Sequence, residues 1–318
     1  MSACCMPDRH TIHEAAVRLA AHVRRTPTLM LGVDEVPGSG PVALKLEFLQ
    51  HSGSFKARGA FNRLLTAMIP AAGVVAASGG NHGAAVAYAA QRLGHRATIF
   101  VPGATPGAKV ARIRAYGAEI VQGGAAYADA LQACRAHQVS TGALDVHAYD
   151  DPDVVSGQGG VGLELLEDKP GLTHVLVSVG GGGLMGGIAA ALEGSGVQVG
   201  GVEPFGCPTL HAALAAGGPV PVEVGGLAAD SLGARTIGQI GFEIARRTGV
   251  ESVLVEDTAI RAAQGWLWER LRIVAEPGGA AALAALLSGA WAAPAGGRVA
   301  VVLCGANTDP GLAPGSER

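Results

Sequence analysis

The chain has 318 residues, with 23 Lys and Arg against 26 Asp and Glu, and a formal net charge of −3. This length is sufficient for two domains or for one large α/β unit with a sizeable core. The charge balance and the lack of a basic tract argue against binding to nucleic acid or to an anionic membrane, and favour a small-molecule ligand.

Cysteine usage indicates a reducing compartment. The five cysteines are an odd number with neither metal-ligand spacing nor a disulfide framework: Cys4, Cys5, Cys134, Cys207 and Cys304. The N-terminal residues lack a charged start followed by an apolar stretch, so we expect no signal peptide and a cytoplasmic protein. The most apolar run, residues 280–293, is short and interrupted for a membrane span, and it predicts a buried helix.

Eight apolar runs alternate along the chain with helical patterns. In chain order they span residues 42–46, 73–77, 97–101, 118–122, 175–179, 197–202, 253–255 and 299–303. Such alternation is typical of parallel sheets covered by helices, so the sequence predicts an α/β fold.

The first motif that carries chemistry is Ser52-Gly-Ser-Phe-Lys56, where Lys56 lies between a Gly-Ser turn and the start of a predicted helix. A lysine withdrawn from water has a lowered pKa. Its neutral amine can attack an aldehyde and can later act as a general base.

Three further segments follow, each at the end of a predicted strand. Residues 77–83 read as a turn before a helix and offer backbone N–H groups to an anion. Residues 180–183 are four consecutive glycines, whose backbone can wrap closely round a phosphate. Cys304 lies at the carboxyl end of the last strand, where open parallel sheets build their sites.

With these four segments in this order, the chain resembles the serine/threonine dehydratases of the fold-type-II pyridoxal-phosphate enzymes, a group that includes serine racemase. The resemblance implies a fold like that of the tryptophan synthase β chain, with two parallel-rich, open twisted sheets flanked by helices. It also implies a large cofactor-binding domain of residues 1–72 and 146–318, a small domain of residues 73–145, and a homodimer.

The resemblance implies a role for each site residue. Lys56 would hold pyridoxal 5'-phosphate as a Schiff base and, once freed, remove the α-proton of the substrate. The implied cofactor contacts are Phe55, Lys56, Asn81, Gly180, Gly181, Gly182, Gly183, Leu184, Glu276 and Cys304. The implied contacts of the substrate carboxylate, largely through backbone N–H groups, are Ser78, Gly79, Gly80, Asn81 and His82.

Cys304 is expected to face the pyridine nitrogen of the cofactor. A neutral thiol cannot keep that nitrogen protonated as a carboxylate would, so the ring is a weaker electron sink and favours loss of a β-substituent. We therefore expect a dehydratase, or ammonia-lyase, acting on an amino-acid substrate. It would convert threonine, serine or a phenylserine-type β-hydroxy-α-amino acid to a 2-oxo acid and ammonia.

Three departures from the relatives bear on the function. Gly79 stands where serine racemase has a second catalytic serine, so efficient racemisation is not expected. The divalent-cation site of the racemase branch would use Glu203 and the carbonyl of Cys207, but Thr209 replaces its aspartate; a monovalent cation, or Asp230 as a ligand, stays open. Segment 123–127 lacks the charged cluster that related enzymes carry there, which argues against an acidic substrate, and its small residues favour a phenylserine-type one.

Four alternatives stay open. They are a serine racemase with side dehydratase activity, a β-replacement enzyme of the cysteine-synthase type, a nicotinamide-dinucleotide enzyme and a non-catalytic ligand-binding relative. Gly181, Gly183 and Gly186 satisfy the dinucleotide spacing G-x-G-x-x-G, but that reading leaves Lys56 and Cys304 without a role. Because the chain ends soon after Cys304, we also expect no regulatory domain and a degradative role.

Overall fold

The structure is a computed structural model, and it describes residues 6–308. Cys4 and Cys5 lie outside the described residues. Within them the strands are β1 Thr28–Leu31, β2 Val42–Lys45, β3 Val74–Ala77, β4 Ala97–Val101, β5 Glu119–Gln122, β6 Leu144–Asp145, β7 His174–Ser178, β8 Gln198–Pro204, β9 Glu251–Val255 and β10 Val299–Val302.

The α-helices alternate with these strands along much of the chain. They are α1 Arg9–Leu19, α2 Lys56–Thr66, α3 Asn81–Leu93, α4 Gly107–Ala115, α5 Tyr127–Thr141, α6 Pro152–Asp168, α7 Gly183–Leu192, α8 Thr209–Ala216, α9 Ala229–Leu232, α10 Gln239–Thr248, α11 Asp257–Trp266 and α12 Pro277–Leu287. Short 3-10 turns lie at Glu47–Leu49 and His51–Gly53, and a π-helical turn, Leu267–Leu271, follows α11.

The strands form two sheets. The larger has six strands in the order β1-β2-β10-β7-β8-β9, and the smaller has four in the order β5-β4-β3-β6. All pairs are parallel except β1 with β2, which is antiparallel at the edge of the larger sheet. The predicted α/β fold with two parallel-rich sheets is confirmed.

The inner strands of the larger sheet are buried on both faces: β2 and β10 are buried at every position, and β7 and β8 at every position after the first. In β7, Val175 and Val177 pack in one cluster with the side chains of α7, and Leu176 packs in a second cluster with α12. This is the two-residue alternation of a strand. The helix predicted within residues 280–293 is α12, which is buried from Gly278 to Leu286 and ends one residue before Ser288.

Local capping explains where α6 begins. The Oδ1 atom of Asp151 accepts hydrogen bonds from the backbone N–H groups of Asp153 at 2.9 Å and Val154 at 3.1 Å. Pro152 occupies the first helical position, where a missing N–H costs nothing.

None of the described helices is both long and apolar enough to cross a bilayer.

A buried ion network joins α2, the helix that begins at Lys56, to α6. Arg58 donates hydrogen bonds to both carboxylate oxygens of Glu47, at 2.9 and 2.7 Å, and to Glu164 at 2.7 Å. The Nζ atom of Lys45 lies 2.7 Å from the same Glu164. Burial alone would raise the pKa of Glu47, but the charge of Arg58 holds that pKa below its ordinary value. The network therefore fixes the position of α2.

We predict that Glu47→Ala lowers the free energy of unfolding by about 3 kcal/mol or more, because it leaves buried charge without its partner. The matched control is Glu243→Ala, which removes an exposed pair with Arg246 and should cost at most about 0.5 kcal/mol. Urea denaturation followed by circular dichroism measures both. Equal losses in the two variants would contradict a stabilising role for the network.

Candidate active site

A cleft lies beside the carboxyl ends of β7 and β10 and the N-termini of α2, α3, α7 and α12. About 480 Å³ of space lies within it, counting the part that is open to solvent. Its lining residues are Phe55, Lys56, Asn81, Tyr149, Ser178, Gly180, Gly181, Gly182, Gly183, Leu184, Ser231, Leu232, Glu276, Gly278 and Cys304. All ten cofactor contacts implied by the resemblance are among them.

Main-chain hydrogen bonds tie the lysine turn to the end of β10. The N–H of Phe55 donates to the carbonyl of Cys304 at 3.2 Å, and Ser54 forms an antiparallel bridge with Gly305. The Nζ atom of Lys56 donates to the carbonyl of Ala148 at 2.6 Å and lies 5.2 Å from the centroid of the Phe55 ring. Burial lowers the pKa of Lys56 to about 8. Near neutral pH a useful fraction of its amine is therefore unprotonated.

The turn before α3 brings Asn81 to the cleft. The N–H of Ser78 donates to the carbonyl of Phe100, and the Ser78 hydroxyl accepts from the N–H of Gly80 at 3.2 Å. The buried ring of His82 donates from Nε2 to the carbonyl of Val146 at 2.7 Å, and burial lowers its pKa to about 3. The imidazole is thus neutral and already bonded, which supports a backbone role for His82. Asn81 lines the cleft, whereas the other four implied substrate contacts, Ser78, Gly79, Gly80 and His82, are not among its lining residues.

The glycine segment 180–183 leads directly into α7 and is closely packed on its outer side. Gly182 has a φ of 84°, a backbone angle that residues other than glycine rarely adopt. A Cβ atom on Gly181 would overlap the ring of Tyr149, and one on Gly183 would lie 2.9 Å from the carbonyl oxygen of Tyr149. The first N–H groups of α7 have no acceptor within the helix. A loop of this shape fits a phosphate held by neutral N–H donors.

Two buried groups that titrate face this loop across the cleft. The thiol of Cys304 donates to the carbonyl of Gly278 at 3.4 Å, and burial raises its pKa to about 12. Glu276 is the N-cap residue of α12; burial raises its pKa to about 7, and its Oε1 accepts a hydrogen bond from Nδ2 of Asn81 at 2.5 Å. The neutral thiol suits a pyridine nitrogen that carries no proton.

Sequence reasoning missed Tyr149, Ser178, Ser231, Leu232 and Gly278 as lining residues. A signal existed for Ser178, which ends β7 two residues before the first glycine of the segment. Tyr149 lies in the connection between β6 and α6, and Ser231 lies in the four-residue helix α9, so no periodic pattern marks either. Their places depend on contacts distant in sequence.

The segment 123–127 does not lie where a larger substrate would need it. Tyr127 begins α5 and is 52% exposed. None of the five residues lines the cleft. The expected extra room for a bulky side chain therefore has no support from this segment.

The predicted cation ligands lie on and after β8. The buried carboxylate of Glu203 accepts hydrogen bonds from the N–H groups of Leu210 at 2.7 Å and His211 at 2.9 Å, and lies 3.0 Å from the hydroxyl of Thr209. The thiol of Cys207 donates to the carbonyl of Gly225. Between residues 6 and 308, no three or more His, Cys, Asp or Glu side chains cluster as metal ligands. A cation at Glu203 and Cys207 stays a prediction.

We predict that the apoprotein reacts with pyridoxal phosphate at a rate that rises with pH and levels off above about 8, the pKa of Lys56, because only the neutral amine attacks an aldehyde. The measurement is the growth of the visible Schiff-base band over a pH series. A free lysine derivative, whose pKa is near 10.5, is the control and should level off correspondingly later. A protein rate that keeps rising in parallel with the control would show that the lysine is not desolvated.

Comparisons with known proteins agree with this geometry. Residues 19–305 match the family described as pyridoxal-phosphate dependent enzyme. The phenylserine dehydratase of Ralstonia pickettii is 40% identical over 311 residues, which cover 96% of this chain and 94% of that protein. The L-threonine ammonia-lyase of Geobacter sulfurreducens is 40% identical over 302 residues, which cover 94% of this chain and 75% of that protein.

Solved structures extend the likeness to three dimensions. The structure of maize serine racemase superposes with a TM-score of 0.91 at 32% identity, covering 96% of this chain and 95% of that one. The match spans both sheets and the cleft, and a buried lysine and a glycine loop meet in that cleft as the family resemblance implies. The chain therefore belongs to the fold-type-II pyridoxal-phosphate dependent enzymes.

Proposed function

We propose that the protein removes water from a β-hydroxy-α-amino acid and so produces a 2-oxo acid and ammonia. The observation that carries this proposal is the pairing of a buried amine, Lys56, with a neutral thiol, Cys304, in one cleft. Two relatives are named for this reaction class, a phenylserine dehydratase and an L-threonine ammonia-lyase.

Lys56 is proposed as the base of the reaction. Bound pyridoxal phosphate supplies an electron sink for the pair left when the α-proton departs. The lowered pKa of the Lys56 amine, about 8, allows it to accept that proton and to return to the neutral form near physiological pH. The β-hydroxyl then leaves as water, and the enamino acid that is released hydrolyses to the 2-oxo acid and ammonia.

Backbone N–H groups, which carry no net charge, would hold the phosphate of the cofactor and the carboxylate of the substrate. The N–H groups of residues 180–184, at the start of α7, are proposed to bind the phosphate of the cofactor. The N–H groups of the turn from Ser78 to His82 are proposed to bind the substrate carboxylate at the start of α3. The second N–H bond of the Asn81 amide would reach the phenolic oxygen of the cofactor. Cys304 would face its pyridine nitrogen without protonating it, and Phe55 would pack beside the ring.

The racemase alternative finds less support. A second base would be required on the opposite face of the substrate, and Gly79 has no side chain to supply it. The space beside Gly79 is occupied by Thr105, whose Cγ2 and Oγ1 atoms would lie 2.8 and 2.9 Å from an added Cβ. A serine at position 79 would therefore need Thr105 to move.

Several broader features of the protein are also proposals. The four strands of the smaller sheet all come from residues 74–145, which supports a small domain of residues 73–145 beside a large one of residues 1–72 and 146–318. The edge strand β1 exposes Leu29 and Met30, which supports a homodimer with apolar contacts. Free, buried thiols at Cys134, Cys207 and Cys304 support a reducing, cytoplasmic location.

We predict that Gly181→Ala weakens binding of pyridoxal phosphate at least about tenfold, because the added methyl group overlaps the Tyr149 ring and displaces the loop. Gly123→Ala is the control, since a Cβ there meets nothing within 4 Å. Titration of each apoprotein with the cofactor measures the dissociation constants. Unchanged binding in Gly181→Ala would exclude this loop as the phosphate site.

We predict that the wild-type protein loaded with pyridoxal phosphate forms 2-oxo acid from L-threonine and from L-threo-phenylserine. Lys56→Ala should reduce the rate by about 10³-fold or more, since it removes the base. Lys169→Ala, outside the cleft, should retain the activity. Coupled reduction of the 2-oxo acid measures each rate. A loaded wild-type protein that yields no oxo acid from these substrates or from L-serine would refute the proposed lyase.

A further inference from the structure

Three side chains form a continuous hydrogen-bonded chain along one wall of the cleft. The Nδ2 atom of Asn307 donates to the Oδ1 atom of Asn81 and, at 2.9 Å, to the main-chain carbonyl of Ser52. The Nδ2 atom of Asn81 donates in turn to Oε1 of Glu276 at 2.5 Å. Asn307 lies three residues after Cys304, beyond the end of β10.

This chain fixes which way the Asn81 amide points. An asparagine side chain has a carbonyl oxygen that only accepts and an amino group that only donates. Asn307 presents an amino group to the carbonyl end of Asn81, and Glu276 presents an oxygen to its amino end. A rotation of the amide by 180° would place like groups against each other at both ends. One N–H bond of Asn81 is left free to point into the cleft.

Asn307 also stabilises the turn that precedes Lys56. Ser52, whose carbonyl Asn307 binds, has a φ of 58°, which is rare for a residue other than glycine. That carbonyl accepts a second hydrogen bond from Nη2 of Arg112 at 3.1 Å. Ser52 lies four residues before Lys56. Asn307 is thus bonded both to the segment that leads to Lys56 and to the amide of Asn81.

We propose that Asn307 is a positioning residue that orients the amide of Asn81, so that Asn81 donates a hydrogen bond to the phenolic oxygen of the cofactor. This proposal rests on the proposed function, because it requires the cofactor at Asn81. A donor at that oxygen stabilises its negative charge, and the charged form of the chromophore absorbs in the visible region. Loss of the donor favours the neutral form, which absorbs in the near ultraviolet.

The test compares absorbance spectra of proteins saturated with pyridoxal phosphate. Asn307→Ala should lower the ratio of visible to near-ultraviolet absorbance by about three- to tenfold, the usual effect of losing one hydrogen bond. Asn307→Asp should lower it at least as much, because a carboxylate cannot donate to Oδ1 of Asn81. In the double variant Asn81→Ala/Asn307→Ala, the absorbance ratio should equal that of Asn81→Ala alone, because no amide at position 81 is left to orient.

The control is Asn62→Ala, a fully buried asparagine that binds Arg18 and the carbonyl of Asp153 away from the cleft. It should lower the melting temperature without changing the absorbance ratio. An unchanged ratio in Asn307→Ala, an equal fall in Asn62→Ala, or an effect that adds to that of Asn81→Ala would each overturn the positioning role.

A separate result identifies failure of the proposed function. A wild-type protein without a visible band that depends on Lys56 contradicts the cofactor site itself. The side-chain amide resonances of Asn81 in the apoprotein then decide the role of Asn307. Two sharp signals that collapse toward each other in Asn307→Ala would show that Asn307 holds the amide, and signals unaffected by the substitution would show that it does not.

Discussion

Withdrawal of one amine from water, that of Lys56, is the constraint on which the rest of the site depends. An ammonium group is costly to bury, and this cost brings the pKa of Lys56 to about 8. The carbonyl of Ala148 accepts one of its hydrogen bonds, and the link from Phe55 to Cys304 fixes the turn that carries it. The amine can then serve as a nucleophile toward an aldehyde and as a base toward a substrate.

Most groups that line the cleft round this amine carry little charge; the exception is Glu276, whose pKa is about 7. Burial raises the pKa of Cys304 to about 12 and lowers that of His82 to about 3, so both are neutral near pH 7. The strong charges lie behind the cleft, where Arg58 and Glu47 hold α2 in place. Anions that enter the cleft meet helix N-termini and backbone N–H groups, which bind them without supplying a titratable cation.

Most strands of this protein can be predicted from the sequence, because their apolar runs match the buried positions that the sheets provide. The eight predicted strands all occur, since runs such as residues 97–101 are apolar except for Thr98 and are buried at every position, as in a sheet covered on both faces. The two strands that were not predicted, β1 and β6, are a half-exposed edge strand and a two-residue strand, and neither has a distinct periodic pattern.

The site shows the same division between local and distant information. The glycines at 180–183 and the turn at Asn81 are visible in sequence because backbone conformation and helix starts are local properties. Tyr149 and Asn307 are not visible, because each acts through a residue far away along the chain, Gly181 for one and Asn81 for the other. Segment 123–127 depends on distant contacts in the same way: none of its residues lines the cleft, and the room that it was expected to make for a bulky substrate stays a prediction.

The strand order has a consequence for how the protein acquires its chemistry during synthesis. β10, the last of the described strands, is inserted between β2 and β7, and it brings Cys304 to the lysine turn. A nascent chain that already contains Lys56 thus lacks the neighbours that desolvate its amine until the C-terminal residues have emerged and paired. Until then the amine is solvated, so its pKa is that of an ordinary lysine and the group stays protonated near neutral pH.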